Sequence, residues 1–250
     1  ANIGVAVGSG TEVAKEASDL ILLNDSFSII VAAIEEGRRI IDNLKKIIAY
    51  LLSTSFSEII VIGAALLAAA PLPLLPSQIL WANIIQEGFM SFVFAFEKAD
   101  PRAMLRNPRS HANKRILTRR LKSLIFIVSA VTGVLLVALY FILLRMGLPI
   151  EEVRTIIFAT LTTGAIFFAF SLKSFDVPLW RINIFTNPFL LVSLAVSLLL
   201  LLGALTVPVL QTLLSLTPLS LATMLLILGF GVMNLVTIAA AKYLLFVKGQ

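Results

Sequence analysis

Cysteine is absent from the 250 residues, and the only histidine is His111. No disulfide framework, thiolate metal site or cysteine nucleophile is therefore open to the chain. Charge is scarce as well. Asp, Glu, Lys and Arg make up 14% of the residues, against about 25% in a soluble domain. Hydrophobic residues make up 59%, and the mean hydropathy is +1.00. This balance excludes a disordered chain and disfavours an ordinary soluble globule; a polytopic membrane protein fits it. No Met and no basic-then-apolar leader precede the mixed, polar first 19 residues. The chain is accordingly expected to be a piece of a longer protein.

The net charge is +6. In a membrane protein such an excess marks basic loops on the cytoplasmic side, and no nucleic-acid partner is expected.

Residues 1–43 differ from the rest. Ile3–Val7 is a short apolar run ending in Gly8-Ser9-Gly10, which reads as a strand and a turn. Thr11 is placed to cap a short helix over 12–18, Leu20–Leu23 is a second strand, and Ser26 precedes a longer helix. This α/β pattern is too short to bury a core of its own. The expected domains are a remnant of a soluble α/β domain over 1–25, a stalk helix over 26–46 and a transmembrane domain over 47–250.

From Phe27 to about Ala70 the only interruptions are Gly37 and Gly63. A helix of that length is roughly 60 Å long, about twice the hydrocarbon thickness of a bilayer. Its first half is amphipathic and its second half is almost wholly apolar, so it joins a soluble domain mechanically to the membrane. Six spans are expected, at about 47–70, 76–96, 121–144, 153–172, 189–207 and 222–244. Pro71, Pro73 and Pro76 mark the turn between the first two. Pro149, Pro178, Pro188, Pro208 and Pro218 fall in the later connections. The fold class is therefore mainly α: a six-helix membrane bundle with a long stalk helix, preceded by a small α/β remnant of a cytoplasmic domain.

Loop charge sets the orientation. Of the 20 Lys and Arg residues, only Arg145 and Arg154 fall on the side opposite the stalk. The stalk, the basic 97–122 loop and both termini are expected on the cytoplasmic side. From the compact loops, the membrane is expected to be a bacterial plasma membrane.

Of the 14 acidic residues, two lie deep inside expected spans, Glu58 and Glu87. An ionised carboxylate at that depth costs at least ~2.5–3.5 kcal/mol. Each must therefore be protonated, hydrogen-bonded or coordinating a cation. Ser55 precedes Glu58 by three residues on the same helix face; Asn83 precedes Glu87 by four, with Gln86 beside it. Carboxylate, amide and hydroxyl oxygens from two adjacent helices suit a hard cation. Ser55, Glu58, Asn83, Gln86 and Glu87 are the candidate metal-ligating set, and Gly88 is placed to loosen the helix and release carbonyls. Polar residues in spans also join helices by hydrogen bonds, and carboxylates also relay protons. The turn at 8–11 lacks a Lys and reads as a plain strand-to-helix connection rather than a phosphate loop. His111 reads as solvated; Trp81, Tyr140, Trp180 and Tyr243 suit membrane interfaces or helix packing.

Four segments resemble the P-type cation ATPases. Residues 1–19 look like the end of their phosphorylation domain. Residues 34–43 (Ile-Glu-Glu-Gly-Arg-Arg-Ile-Ile-Asp-Asn) look like the stalk of the fifth transmembrane helix. Residues 74–83 (Leu-Leu-Pro-Ser-Gln-Ile-Leu-Trp-Ala-Asn) look like the start of the sixth, and 96–109 like the loop after it. The calcium-pump branch is the nearest in kind. There the fifth helix presents Asn and Glu, matched here by Ser55 and Glu58. The sixth presents Asn, Thr and Asp, matched here by Asn83, Gln86 and Glu87. The acids are kept in type. Ser55, Gln86 and the small residues near Ala165 depart from the pattern, which implies a single site shared with a helix outside the chain.

The resemblance implies the transport end of an ATP-driven pump that moves Ca²⁺, or another small cation, out of the cytoplasm with proton countertransport. ATP and Mg²⁺ would act through upstream actuator, nucleotide-binding and phosphorylation domains. The catalytic aspartate is expected there, so the chain alone is not expected to hydrolyse ATP. The remaining partner is the lipid bilayer. Two rivals use the same composition: a secondary transporter or channel, and a non-transporting membrane subunit.

Overall fold

The computed structural model describes residues 3–24, 26–98, 103–105, 116–175, 181 and 183–244. His111, Trp180 and most of the basic 97–122 loop lie outside them, and so do the expectations placed on those residues.

The N-terminal unit contains two parallel strands, β1 (Val5–Val7) and β2 (Leu20–Leu22), joined through a short helix α1 (Glu12–Glu16). Val5 pairs with Leu20 and Val7 with Leu22. Thr11 caps α1, its hydroxyl oxygen accepting from the Ala14 amide at 3.3 Å. The glycine turn spends its amides locally: Gly8 donates to Leu22 O at 2.8 Å and Gly10 to Val7 O at 2.9 Å. A Cβ at residue 10 would sit 2.9 Å from that Val7 oxygen, which is why glycine stands there. The loop is thus the plain strand-to-helix turn its composition suggests.

Helix α2 runs unbroken from Phe27 to Leu67. Gly37 and Gly63 do not interrupt it. It closes three residues earlier than the apolar run suggests, because Ala69 adopts a left-handed conformation (φ 50°) and Ala70 N bonds back to Ala65 O at 2.9 Å.

The second span is three kinds of helix in series. An α-helix, α3 (Pro76–Asn83), passes into a π-helical segment (Ile84–Met90) and then a 3₁₀ segment (Phe92–Phe96). The remaining spans are α4 (Arg119–Arg145), α5 (Ile150–Leu172), α6 (Pro188–Thr206) and α8 (Leu221–Lys242). Among the described residues, six helices are long and apolar enough to cross a membrane, and the fold class is the one the sequence indicates. One further helix, the short α7 (Pro208–Leu214), occupies what the sequence suggests is a plain connection. Pro76, Pro188 and Pro208 each open a helix, where the missing N–H costs nothing. Side-chain oxygens of Thr118, Asn187 and Ser220 cap α4, α6 and α8.

Helix α5 is the centre of the membrane unit. Buried positions make up 89% of its most apolar window, against 28% for α6 and α8. An all-round apolar helix is stable only when other helices cover it. It packs most extensively against α8. Small residues allow the closest approaches: a Cβ at Gly231 would meet the Phe167 ring at 2.9 Å, and one at Gly133 on α4 would meet Ile60 of α2 at 2.7 Å. On the outside, Phe126, Leu199 and Leu225 stand exposed, as lipid-facing residues do.

The α2–α4 contact yields a direct prediction. Gly133→Ala should destabilise the membrane unit by about 1–3 kcal/mol, the usual cost of overpacking, and Ile60→Ala should recover part of the loss. Thermal unfolding in detergent measures both; an unchanged midpoint for Gly133→Ala would show that the two helices are not in tight contact.

Candidate cation-binding site

Glu58 lies in the second half of α2 and is buried, 8% exposed. Gln86, in the π-helical segment of the next span, is 1% exposed and faces it closely enough to interact. Yet Oε1 of Glu58 and Nε2 of Gln86 both end without a hydrogen-bond partner. A buried polar atom left without a partner is costly. Glu87 lies within electrostatic reach of Glu58. The two neighbouring helices thus bring both acids and the amide into one region.

The π-helical segment decides how these side chains point. Its i→i+5 hydrogen bonds change the angular step between residues. Gln86 turns into the bundle while Glu87, one residue later, stands exposed on it. Gly88 borders open space. The Ser91 hydroxyl donates to the Glu87 carbonyl, and Ser91 N bonds to Gln86 O at 3.0 Å. Local partners therefore take up carbonyls that the regular α pattern would have used.

Ser55 and Asn83 are half-buried and, among the described residues, make no hydrogen bond with either carboxylate. The hydroxyls that turn inward from α2 are those of Ser53 and Ser57. Together with Gln86, Thr132 of α4 and Asn234 of α8, they border a small cavity whose walls are otherwise apolar, formed by Val128, Leu161 and Phe168 among others. Ser57 donates to Ser53 O at 2.8 Å, and Thr132 donates to Asn234 Oδ1 at 3.0 Å. Their protons are spent, so their oxygens present lone pairs. Ser53 Oγ is buried and without a partner. Tyr50, stacked on Phe168 at 5.7 Å between ring centroids, also has a buried, unpartnered hydroxyl.

Several polar residues of this region escape a reading of spacing alone. Asn234 stands isolated in an apolar run, and that isolation was a legible signal. Ser53 and Thr132 give none, since serine and threonine are common in spans. Glu97, at the edge of a basic loop, is in fact buried: its carboxylate accepts from Lys173 Nζ at 2.7 Å.

The aromatic residues serve packing. Trp81 Nε1 donates to Leu200 O at 3.3 Å, and the buried Tyr140 donates its hydroxyl to Pro71 O.

Similarity to known proteins converges on one family. The model described as "Cation transporting ATPase, C-terminus" matches residues 71–244. The "Calcium-transporting ATPase" of Bacillus subtilis is 36% identical over 213 residues, covering 84% of this chain and 24% of that protein. The "Probable cation-transporting ATPase F" of Mycobacterium bovis is 37% identical over 196 residues, covering 78% of this chain and 22% of that protein. An Arabidopsis thaliana protein, "Calcium-transporting ATPase 3, endoplasmic reticulum-type", is 43% identical over 109 residues, 44% of this chain and 11% of its own length. The chain therefore spans about a quarter of the length of the bacterial relatives. Six apolar helices, two acids in adjacent spans and a family match over most of its length fit together: the chain belongs to the P-type cation-transporting ATPases, over the C-terminal membrane region of that family.

Proposed function

We propose that the chain is the ion-carrying membrane part of an ATP-driven pump that moves Ca²⁺, or another small cation, out of the cytoplasm. The observation that carries this reading is the meeting of two buried side chains, Glu58 with one carboxylate oxygen lacking a hydrogen-bond partner and Gln86 against it, beside Glu87. Carboxylate and amide oxygens from two helices, with carbonyls of a non-α backbone nearby, are the ligand types hard cations take. Relatives that bear the name calcium-transporting ATPase support Ca²⁺ as the cargo.

Ser55, Glu58, Asn83, Gln86 and Glu87 are the proposed ligand set. Glu87 stands on an open face of the membrane unit. A carboxylate facing hydrocarbon is expensive, so a helix from the rest of the pump is proposed to cover that face and complete a single site. The strand pair over 5–22 also leaves Val5, Leu20 and Ile21 exposed. That supports the proposal that residues 1–25 belong to a larger α/β phosphorylation domain. Residues 26–46 would act as the stalk and 47–250 as the transmembrane domain.

In the whole pump, ATP and Mg²⁺ would act through the upstream actuator, nucleotide-binding and phosphorylation domains, where an aspartyl phosphate forms. Motion of those domains would reach Glu58 along α2 and change the ligand geometry. A secondary transporter needs neither the α/β segment nor the stalk, and family membership does not favour it. We place the pump in a bacterial plasma membrane, with both ends of the chain on the cytoplasmic side.

Three outcomes are expected of the full-length protein. Glu58→Gln and Glu87→Gln should each shift cation-dependent phosphorylation to about tenfold or more higher cation, the effect of losing at least ~1.4 kcal/mol of binding; phosphorylation assays across a Ca²⁺ series decide this, and unchanged curves in both would remove these acids from the site. Carboxylates that lose their cation inside a bilayer take protons in exchange, so turnover in sealed vesicles should move H⁺ opposite to the cation; a pH-sensitive dye that registers no flux while the cation moves refutes countertransport. The absence of cysteine from these 250 residues makes orientation easy to test. In an otherwise cysteine-free pump, Met146→Cys should react with an impermeant maleimide added to whole cells, and Leu105→Cys only after permeabilisation. The reverse pattern would invert the topology.

A further inference from the structure

A second concentration of buried polar groups lies beyond the 3₁₀ segment that ends the second span. Glu97, 7% exposed, is held through both carboxylate oxygens: Lys173 Nζ donates to Oε1 at 2.7 Å and Asn187 Nδ2 to Oε2 at 3.0 Å. Lys173 follows α5 directly, and Asn187 caps α6. From α2, Asn43 Nδ2 donates to the Glu97 carbonyl at 2.9 Å and to Ala95 O at 3.4 Å. Asn187 Nδ2 also reaches Val93 O at 3.3 Å. Side chains of α2, of the end of α5 and of the cap of α6 thus hold residues 93–97.

The other end of the same span is gripped as well. Gln78 Nε2 donates to Leu214 O at 3.0 Å, and Trp81 Nε1 to Leu200 O at 3.3 Å. Between the two grips lies the π-helical and 3₁₀ stretch with Gln86 and Glu87. A backbone without the regular α ladder does not set its own geometry as a straight helix does. Its shape is set by where its ends are held. Of the two grips, the Glu97 end is held by a charge pair, whereas Gln78 and Trp81 hold the other through neutral groups. A buried ion pair is made or broken, with little between, since either charge alone is costly to bury.

We propose that Glu97 and Lys173 form a positioning latch that fixes the height and rotation of the broken helix, and so tunes cation affinity at Gln86 and Glu87 without touching the ion. This rests on the transport reading above. The pair clasps the base of the ion-carrying helix to α5, the most buried helix of the unit. Affinity is then a property of the clasp as well as of the ligands.

The test uses the full-length protein with Ca²⁺ as the probe. Glu97→Gln keeps shape and an acceptor for Asn187 but removes the charge; Lys173→Met removes its partner; the double variant removes both and leaves no unpaired charge. Half-maximal Ca²⁺ for phosphorylation, equilibrium Ca²⁺ binding and thermal unfolding are measured for each. Each single variant is expected to raise half-maximal Ca²⁺ by about five-fold or more, the low end of coupling between sites. Maximal phosphorylation should stay near wild type. The double variant should shift no further than the larger single one, because the two act as one unit. Unshifted Ca²⁺ midpoints with lowered thermal stability would overturn the proposal and leave the pair structural. Additive shifts would overturn it too. If a single variant does not fold, the charge-free double variant carries the test, and a wild-type midpoint in it refutes the latch. Wild-type protein with no cation dependence would instead refute the transport reading itself.

Discussion

A backbone in hydrocarbon cannot leave its amides and carbonyls unpaired, and the second span departs from the α pattern without leaving the membrane unit. Every other feature of the site follows from how that departure is supported. The π-helical segment keeps its hydrogen bonds internal while changing the direction in which its side chains point. Serine and asparagine side chains take up carbonyls around it. Side chains of α2, α5 and neighbouring helices hold it from outside. The cost of the irregular stretch is thus met by its neighbours.

The arrangement divides labour among the helices. Helix α5, covered on nearly all sides, supplies a fixed reference. Helix α2 runs without a break past that reference and carries Glu58 in its inner half. The broken span carries the second acid and the amide. Small residues at Gly133, Gly164 and Gly231 bring the backbones close enough for side chains of different helices to meet. Polar contacts such as Thr132 with Asn234 join helices that pack by shape alone elsewhere.

Much of the fold is legible in the chain because membrane spans announce themselves by composition. Long apolar runs between prolines mark the helices, and Thr11 marks a cap by its place before a helical pattern. Glu58 and Glu87 stand out because acids are rare in such runs. What the chain does not display is direction. The step from Gln86 to Glu87 looks the same on paper in an α- and a π-helix, but it sends one side chain inward and the other to an open face. Partners far apart in sequence are equally hidden. Nothing near Glu97 announces Lys173, 76 residues away, and its basic neighbours suggest a solvated loop. The short α7 is missed because seven residues after a proline carry too little periodicity to separate a helix from a turn.

Ser53, Glu58 and Gln86 each bury a polar atom without a partner. Such atoms cost about 1–3 kcal/mol apiece. A conformation that buries them unpaired is therefore frustrated: a cation would relieve the oxygens of Ser53 and Glu58, whereas the Gln86 amide N–H needs an acceptor. Under the proposed transport reading, an ion would be more than a passenger: its arrival would remove internal stress, and its departure would restore it. On that reading the site would act as a spring whose tension is set by occupancy, so that loading and unloading would themselves be mechanical events.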